Sequence, residues 1–126
     1  MAESMMNKGF YNLNDMSQGI ARELAKGITT RIFPGEQAML SVVRLEPNTQ
    51  GSIHNHPQEQ WGVMLEGSAT RIQNGEEFAV TAGDFWCTPG DAPHGIRTGD
   101  EGAVILDIFA PPRDEYRKAG KGFGDS

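Results

Sequence analysis

Cysteine is almost absent from this sequence of 126 residues, in which Cys87 is the only one. A single thiol cannot form an intramolecular disulfide, and one thiol with three histidines cannot build a cysteine-rich zinc site. Stability must therefore come from an ordinary hydrophobic core, and the chain is long enough to enclose one within a single domain.

Basic residues are also scarce relative to acidic ones. The chain has 11 Lys and Arg against 17 Asp and Glu, which gives a formal net charge of −6. Nucleic acids and anionic membranes are bound by basic surfaces, so we expect neither as the main partner of this protein.

Long hydrophobic runs are missing as well. The first ten residues, MAESMMNKGF, contain no basic segment followed by an apolar one, and no later stretch is long and uncharged. The sequence therefore predicts neither a signal peptide nor a transmembrane helix, and we expect a cytoplasmic protein.

Alternation of side chains with a period of two dominates the middle of the chain. It is clearest between residues 37 and 47, and further strands are predicted near residues 51–56, 60–65, 68–73, 77–81, 85–88, 95–98 and 103–109. Asn74-Gly75 is typical of a two-residue hairpin, because both positions tolerate positive φ. Many short strands separated by glycine- and proline-rich turns indicate an all-β sandwich or barrel.

This pattern divides the chain into three parts. Residues 37–110 form the predicted barrel, and residues 1–36 form an N-terminal segment that pairs with the barrel or with a partner subunit. Residues 16–26 have the spacing of a short helix, weakened by Gly19 and Gly27, and the alternative is a strand that continues through residues 28–33. The glycine-rich tail, residues 111–126, is expected to be partly disordered.

Two of the three histidines form the sequence His54-Asn55-His56. Alternate spacing on a strand points both imidazoles to the same face, and imidazole is the commonest metal ligand near neutral pH. Taken alone, the pair could equally be the exposed polar end of a strand next to Pro57.

Two longer motifs decide between these interpretations. GSIHNHPQEQWGVMLEG and GDFWCTPGDAPH resemble the two conserved motifs of the cupin superfamily, of the single-domain cupin 2 type. The resemblance covers roughly residues 37 to 110 and implies a jelly-roll barrel, also called a double-stranded β-helix, that holds one divalent metal through His54, His56, His94 and a fourth ligand. Three loop positions depart from the family pattern, namely Asn48, Asp91 and Thr98.

The fourth ligand is either Glu59 or Gln60. Counting six residues back from Gly67, as the family motif requires, selects Gln60, and its even separation from His56 favours the same face of the strand. Three neutral imidazoles and a neutral amide oxygen would leave the charge of the metal uncompensated, which favours an anionic ligand in its open positions. Mixed nitrogen and oxygen ligation suits Mn, Fe, Co, Ni or Zn without choosing among them.

A second group of residues lies at the end of the last predicted strand. Alternation places Asp107 on the same face as Ile105 and Phe109, and an inward carboxyl would have to be paired, hydrated or functional, whereas an outward one needs no explanation. Asp-x-Phe-x-Pro-x-Arg at residues 107–113 resembles the KdgF family of pectin-degradation cupins, which convert unsaturated uronates into linear keto sugars. The resemblance implies that Asp107, Phe109 and Arg113 line the metal pocket and that Asp107 and Arg113 are catalytic. We expect Asp107 to act as general acid and base, Arg113 to bind a carboxylate of the substrate and Phe109 to form an apolar wall.

These observations lead to one main hypothesis and two alternatives. The main hypothesis is a metal-dependent isomerase or lyase of uronate metabolism that acts on a small anionic, sugar-derived substrate. The alternatives are a metal-dependent dioxygenase and a non-catalytic cupin that binds or senses a small ligand. We also expect a homodimer, in which residues 28–33 pair with a partner chain.

Overall fold

The computed structural model describes residues 8–123. In chain order the elements are β1 (Ile20–Ala25), β2 (Ile28–Pro34), β3 (Met39–Leu45), β4 (Glu59–Gln73), β5 (Glu76–Thr81), β6 (Phe85–Thr88), β7 (His94–Arg97), β8 (Ala103–Ala110), the 3-10 helix η1 (Asp114–Arg117) and β9 (Gly120–Lys121). The predicted all-β jelly-roll class is confirmed. None of the helices in this part of the chain has the length and apolar character needed to cross a bilayer.

The long strand β4 joins the two sheets of the barrel. Its first half pairs with β6 and β8, and its second half pairs with β5 and β7. The remaining strands extend the first sheet from β8 through β3 and β2 to β1 and β9. The register shifts between Met64 and Glu66, so β4 bends from one sheet into the other. The sequence predicted two separate strands here, near residues 60–65 and 68–73.

The hydrophobic core lies between the sheets. Its most enclosed apolar side chains come from β2, β3, β4 and β8, and they include Ile28, Ile32, Met39, Met64 and Ile105, each no more than 3% exposed. In β3 the odd-numbered residues from Met39 to Leu45 are buried, as the alternation predicts. Apolar burial of this kind stabilises the fold by about 25 cal/mol for each Å² removed from water.

Four loop residues adopt backbone conformations that favour glycine or asparagine. Asn74 and Gly75 have φ of +53° and +80°, which confirms the predicted two-residue hairpin between β4 and β5. Asn48 and Asp91, which depart from the cupin pattern, have φ of +57° and +67°. Asparagine and aspartate tolerate the left-handed region better than other side chains do, so both departures keep the turn geometry.

The N-terminal segment decides between two alternatives and corrects one expectation. Of the helix and the strand that the sequence allowed for residues 16–26, the structure has the strand, because antiparallel pairing with β2 satisfies the backbone of residues 20–25 between Gly19 and Gly27, both at positive φ. Strand β2 is hydrogen-bonded to β1 on one side and to β3 on the other, so residues 28–33 have no free edge for a partner chain. The homodimer itself stays a prediction.

The segment before β4 also differs from the prediction. Residues 51–56 do not form a regular strand, and only isolated bridges join Gln50 to Arg97 and His54 to His94. The His54–His94 bridge consists of two backbone hydrogen bonds, of 3.0 and 2.9 Å. This bridge is nevertheless enough to hold the two histidines side by side.

The C-terminal segment packs against the barrel as far as Phe123, whereas its glycine-rich composition predicted partial disorder. Strand β9 pairs in parallel with β1, and the Arg22 guanidinium donates hydrogen bonds of 2.8 to 2.9 Å to the carbonyls of Glu115, Lys121 and Gly122. Tyr116 on η1 is only 2% exposed. The burial of Tyr116 and the hydrogen bonds from Arg22 thus hold a segment of low hydrophobicity against the barrel. Residues 124–126 lie outside the described residues.

The buried phenol of Tyr116 predicts a loss of stability in alkali. Burial raises its pKa to about 12, against about 10 in an unfolded chain. Above pH 10 the unfolded state therefore loses this proton first, and the free energy of unfolding falls as the pH rises towards 12. Urea unfolding should show that the stability of the wild type relative to Tyr116→Phe falls by about 2 kcal/mol between pH 9 and pH 12. A difference that stays constant with pH would contradict this expectation.

Candidate metal centre

The three histidines converge at one end of the barrel. His54 and His56 lie in the loop before β4, and His94 begins β7. The potential ligand atoms of the three side chains all lie within 4.8 Å of one another. His56 and His94 are buried and His54 is half-buried, so the cluster is largely shielded from solvent.

Each imidazole is oriented through its Nδ1 atom. The Nδ1 atoms lie 3.0, 3.1 and 2.8 Å from the carbonyl oxygens of Ser52, Gln58 and Ala92, for His54, His56 and His94 respectively. A carbonyl oxygen only accepts hydrogen bonds, so each neutral ring carries its proton on Nδ1 and keeps a lone pair on Nε2. In many metalloproteins a hydrogen bond from the other ring nitrogen orients the metal-bound histidine in the same way.

The three rings also have the protonation state that metal ligation requires. Burial lowers the pKa of His54 to about 4 and that of His94 to about 3, and it also lowers the pKa of His56. All three rings are therefore neutral at physiological pH, as metal ligation requires. Nε2 of His94 is buried and has no hydrogen-bond partner among the described residues.

Gln60 and Glu59 lie on opposite sides of β4. Gln60 is 4% exposed, and its Oε1 lies 3.0 Å from Nε2 of His56. Glu59 is exposed and accepts a hydrogen bond of 2.8 Å from the indole of Trp61. The register argument that selected Gln60 therefore agrees with the position of both side chains.

The contact between Gln60 and His56 joins two atoms that both carry lone pairs. The Nδ1–H of His56 faces the carbonyl of Gln58, so Nε2 of this ring carries a lone pair, and the Oε1 of Gln60 that faces it is likewise an acceptor. Two acceptors 3.0 Å apart are compatible with a cation that both of them bind. With the unpartnered Nε2 of His94, this donor set of three nitrogens and one oxygen fits a divalent transition metal.

Asp107 faces the interior of the barrel. On β8 it pairs with Ser41 of β3 and with Gly62 of β4, and it lines the same cavity as His54, Gln60 and His94. Burial raises its pKa to about 6, although the nearby Arg71, Gln60 and Arg113 each oppose the shift. Its Oδ1 is buried and has no hydrogen-bond partner among the described residues. Of the two orientations that periodicity left open, the structure has the inward one.

Phe109 and Arg113 also line this cavity. The Phe109 ring, 2% exposed, lies edge-on to His56 with centroids 5.6 Å apart, as an apolar wall requires. Arg113 is fully buried, lies 4.2 Å from the centroid of the Tyr116 ring and donates a hydrogen bond to the carbonyl of Phe123. Much of its guanidinium is therefore occupied by the C-terminal segment. All seven residues that the sequence singled out thus lie together.

The structure adds two residues from the C-terminal segment and two from the barrel. Phe123 stacks on His54 with ring centroids 4.6 Å apart, and Tyr116 lines the same cavity. Arg71 and Trp86 line it from β4 and β6. Alternation along residues 68–73 was the sequence signal available for Arg71. It does not tell whether Arg71 faces the interior or the solvent unless the position of the bulge is known.

Comparison with known proteins gives matches over most of the chain. A family model described as a cupin domain matches residues 41–109. Oxalate decarboxylase OxdC of Bacillus subtilis (strain 168) is 35% identical over 97 residues, which are 72% of this chain and 24% of the relative. This chain therefore spans about a quarter of the length of that relative. Pectin degradation protein KdgF of Dickeya dadantii (strain 3937) is 27% identical over 96 residues, which are 75% of this chain and 87% of the relative.

Solved structures agree with this fold. An RmlC-like cupin from Shewanella frigidimarina NCIMB 400 superposes with a TM-score of 0.74 at 20% sequence identity. The match covers 85% of this chain and 96% of the other. At this level of identity the likeness establishes the shared architecture.

Substitution of single side chains tests the ligand set. His94→Ala and Gln60→Ala should each weaken metal binding by more than about a hundredfold, since each removes a ligand and loss of an outer-shell partner alone costs 10–100-fold. Glu59→Ala is the matched control from the other face of β4 and should bind metal normally. Metal content after reconstitution with Mn²⁺ or Zn²⁺ measures the effect. Stoichiometric metal in His94→Ala would refute the site, and loss of metal in Glu59→Ala alone would show that the ligand register is wrong.

Proposed function

This chain belongs to the cupin superfamily, and we propose that it is a metal-dependent enzyme of the isomerase or lyase type. Its proposed substrate is a small anionic sugar derivative, and its proposed reaction is the ring opening or tautomerisation of an unsaturated uronate. The observation that carries the proposal is the inward carboxyl of Asp107, which lines the same cavity as Gln60, His54 and His94. The relationship to a pectin degradation protein supports the choice of substrate.

His54, His56, Gln60 and His94 are the proposed ligands of one divalent metal, chosen from Mn, Fe, Co, Ni and Zn. Such a metal supplies Lewis-acid polarisation of a substrate oxygen. Because all four ligands are neutral, the site favours an anionic substrate. The buried guanidinium groups of Arg71 and Arg113 add to this preference.

Asp107 is the proposed general acid and base. Opening a cyclic hemiacetal requires removal of the proton from the anomeric hydroxyl and delivery of a proton to the ring oxygen. Burial raises the pKa of this carboxyl to about 6, which is close to neutral pH. The one group can therefore accept the first proton and donate the second. Phe109 limits the access of water on one side, and Arg113 contributes positive charge near the reacting groups.

A second candidate is chemistry on a small dicarboxylate, and it is favoured by the 35% identity to an oxalate decarboxylase. The metal-dependent dioxygenase and the non-catalytic binding protein stay as alternatives. Incubation of the metal-loaded protein with unsaturated uronates, and separately with oxalate, distinguishes these functions. A decrease in the enol-ether absorbance that no longer occurs when a chelator is added would support the uronate reaction. Turnover of oxalate alone would favour the second candidate, and turnover of neither substrate would overturn both.

Asp107→Asn tests the acid and base role directly. The amide keeps the shape of the side chain but cannot exchange a proton, so turnover of the unsaturated uronate should fall about a hundredfold or more while metal content and melting temperature stay close to those of the wild type. Asp100→Asn, in the exposed turn before β8, is the matched control and should retain full activity. Unchanged turnover in Asp107→Asn would assign the chemistry to other groups of the site.

A further inference from the structure

Buried polar atoms without partners are concentrated in one cavity of this protein. Within residues 8–123, six buried side-chain nitrogen or oxygen atoms lack a hydrogen-bond partner. Five of the six belong to residues that line the cavity beside the histidines, namely Arg71, Trp86, His94, Asp107 and Arg113. Leaving such an atom unsatisfied costs about 1–3 kcal/mol, so this concentration indicates a ligand that supplies the missing contacts.

Arg71 is a buried cation whose nearest acidic neighbour in the cavity, Asp107, interacts with its charge without forming a salt bridge. It is 5% exposed, and it forms no salt bridge among the described residues. One terminal nitrogen donates a hydrogen bond of 2.8 Å to Thr88, whose hydroxyl in turn donates one of 2.6 Å to Gln73. This chain of hydrogen bonds fixes the guanidinium and leaves Nε without a partner. Burial of a charge without a salt-bridge partner is costly, which favours an anionic group from outside the chain.

Trp86 places a second free donor beside Arg71. The guanidinium carbon of Arg71 lies 5.7 Å from the centre of the indole ring, and Nε1 of Trp86 is buried without a partner. The indole packs directly over Gly62 of β4, where an added Cβ would lie 2.5 Å from ring atoms that include Nε1. The indole can therefore occupy this position only because residue 62 has no side chain.

Arg113 is less suited to bind a carboxylate. Its guanidinium already contacts the Tyr116 ring at 4.2 Å, the carboxylate of Glu115 at 3.9 Å and the carbonyl of Phe123. A cation with these contacts has part of its hydrogen-bonding capacity and charge satisfied within the chain. The KdgF-like motif nevertheless assigned substrate binding to this residue.

We propose that Arg71 Nε and Trp86 Nε1 form an anion-binding subsite that takes a carboxylate group of the ligand. The subsite lines the same cavity as His54, Gln60 and His94, so it selects small molecules that carry a carboxylate and a further oxygen able to reach those ligands. It deepens the proposed function and rests on it for the identity of the substrate. Arg71 thereby replaces Arg113 as the main determinant of specificity for an anion.

Nuclear magnetic resonance of the zinc-loaded wild type tests the subsite without any substitution. The chain has two tryptophans, so its indole N–H region contains two signals. Trp61 is 41% exposed and already donates to Glu59, which makes it an internal control. Addition of galacturonate or oxalate should shift the Trp86 indole and Arg71 Nε signals saturably and leave Trp61 unchanged, whereas neutral methyl galactoside should shift none of them. Failure of both carboxylates to shift Trp86 and Arg71 would overturn the proposal.

Arg71→Met tests the contribution of the charge. The variant should bind galacturonate at least about tenfold more weakly, which corresponds to the loss of a hydrogen bond to a charged group, and it should keep its metal. Arg97→Met is the matched control, because Arg97 on the neighbouring strand β7 is paired with Glu77 at the surface. Wild-type affinity for galacturonate in Arg71→Met would overturn the proposal. If that variant does not fold, the nuclear magnetic resonance signals of the wild type decide the question.

The two proposals can fail separately. If carboxylates bind in an Arg71-dependent manner while unsaturated uronates are not converted, the subsite stands and the proposed reaction falls. If uronates are converted with the same KM in the wild type and in Arg71→Met, the reaction stands and the subsite falls.

Discussion

The bulge in β4 is the constraint on which both the barrel and the site depend. Before the register shift between Met64 and Glu66, even-numbered residues such as Gln60 and Gly62 face the interior. After it the odd-numbered residues are the more buried, and Arg71 is among them. Side chains alternate with a period of two, so a continuous strand without the shift would turn Arg71 to the outside. One extra residue thus lets a single strand supply an amide to the histidine cluster and a guanidinium to the cavity.

The charges in the interior follow from this arrangement. The histidines are neutral because burial opposes their protonation, and the nearby cations Arg71 and Arg113 act in the same direction on His54. Within residues 8–123, Asp107 is the only acidic residue that lines the cavity, and its own burial raises its pKa. The interior therefore contains two guanidinium groups and one carboxyl that readily takes a proton, before any metal is added. Such an interior favours a ligand that brings negative charge with it.

The sequence predicted the barrel and the histidine cluster well, because both depend on local patterns. Alternation and turn residues identify most strands, and the spacing of the two cupin motifs identifies the histidines and Gln60. The inward position of Asp107 came from the family resemblance, since periodicity alone allowed either face. For residues 16–26 the pattern allowed a helix or a strand, and pairing with the next strand decides for the strand. The prediction failed for residues 51–56, which form isolated bridges and no regular strand.

The inward position of Arg71 and the order of the C-terminal segment could not be predicted from local sequence patterns. The face of Arg71 depends on the bulge between Met64 and Glu66. Gly67, with a φ of +83°, is compatible with a bulge, but a glycine within a strand does not by itself fix the register. The order of the C-terminal segment depends on Arg22, which lies about a hundred residues away in the chain. Both are consequences of tertiary packing, and both bear on the chemistry of the cavity.

The central claim is that the histidine cluster and Gln60 hold one metal inside the barrel. Anomalous diffraction at the manganese absorption edge, from crystals of the Mn²⁺-loaded protein, tests it most directly. The account predicts a single strong peak at roughly 2.0–2.3 Å from Nε2 of His54, His56 and His94 and from Oε1 of Gln60. A fully occupied peak elsewhere in the molecule, or no peak within reach of these four atoms, would contradict it.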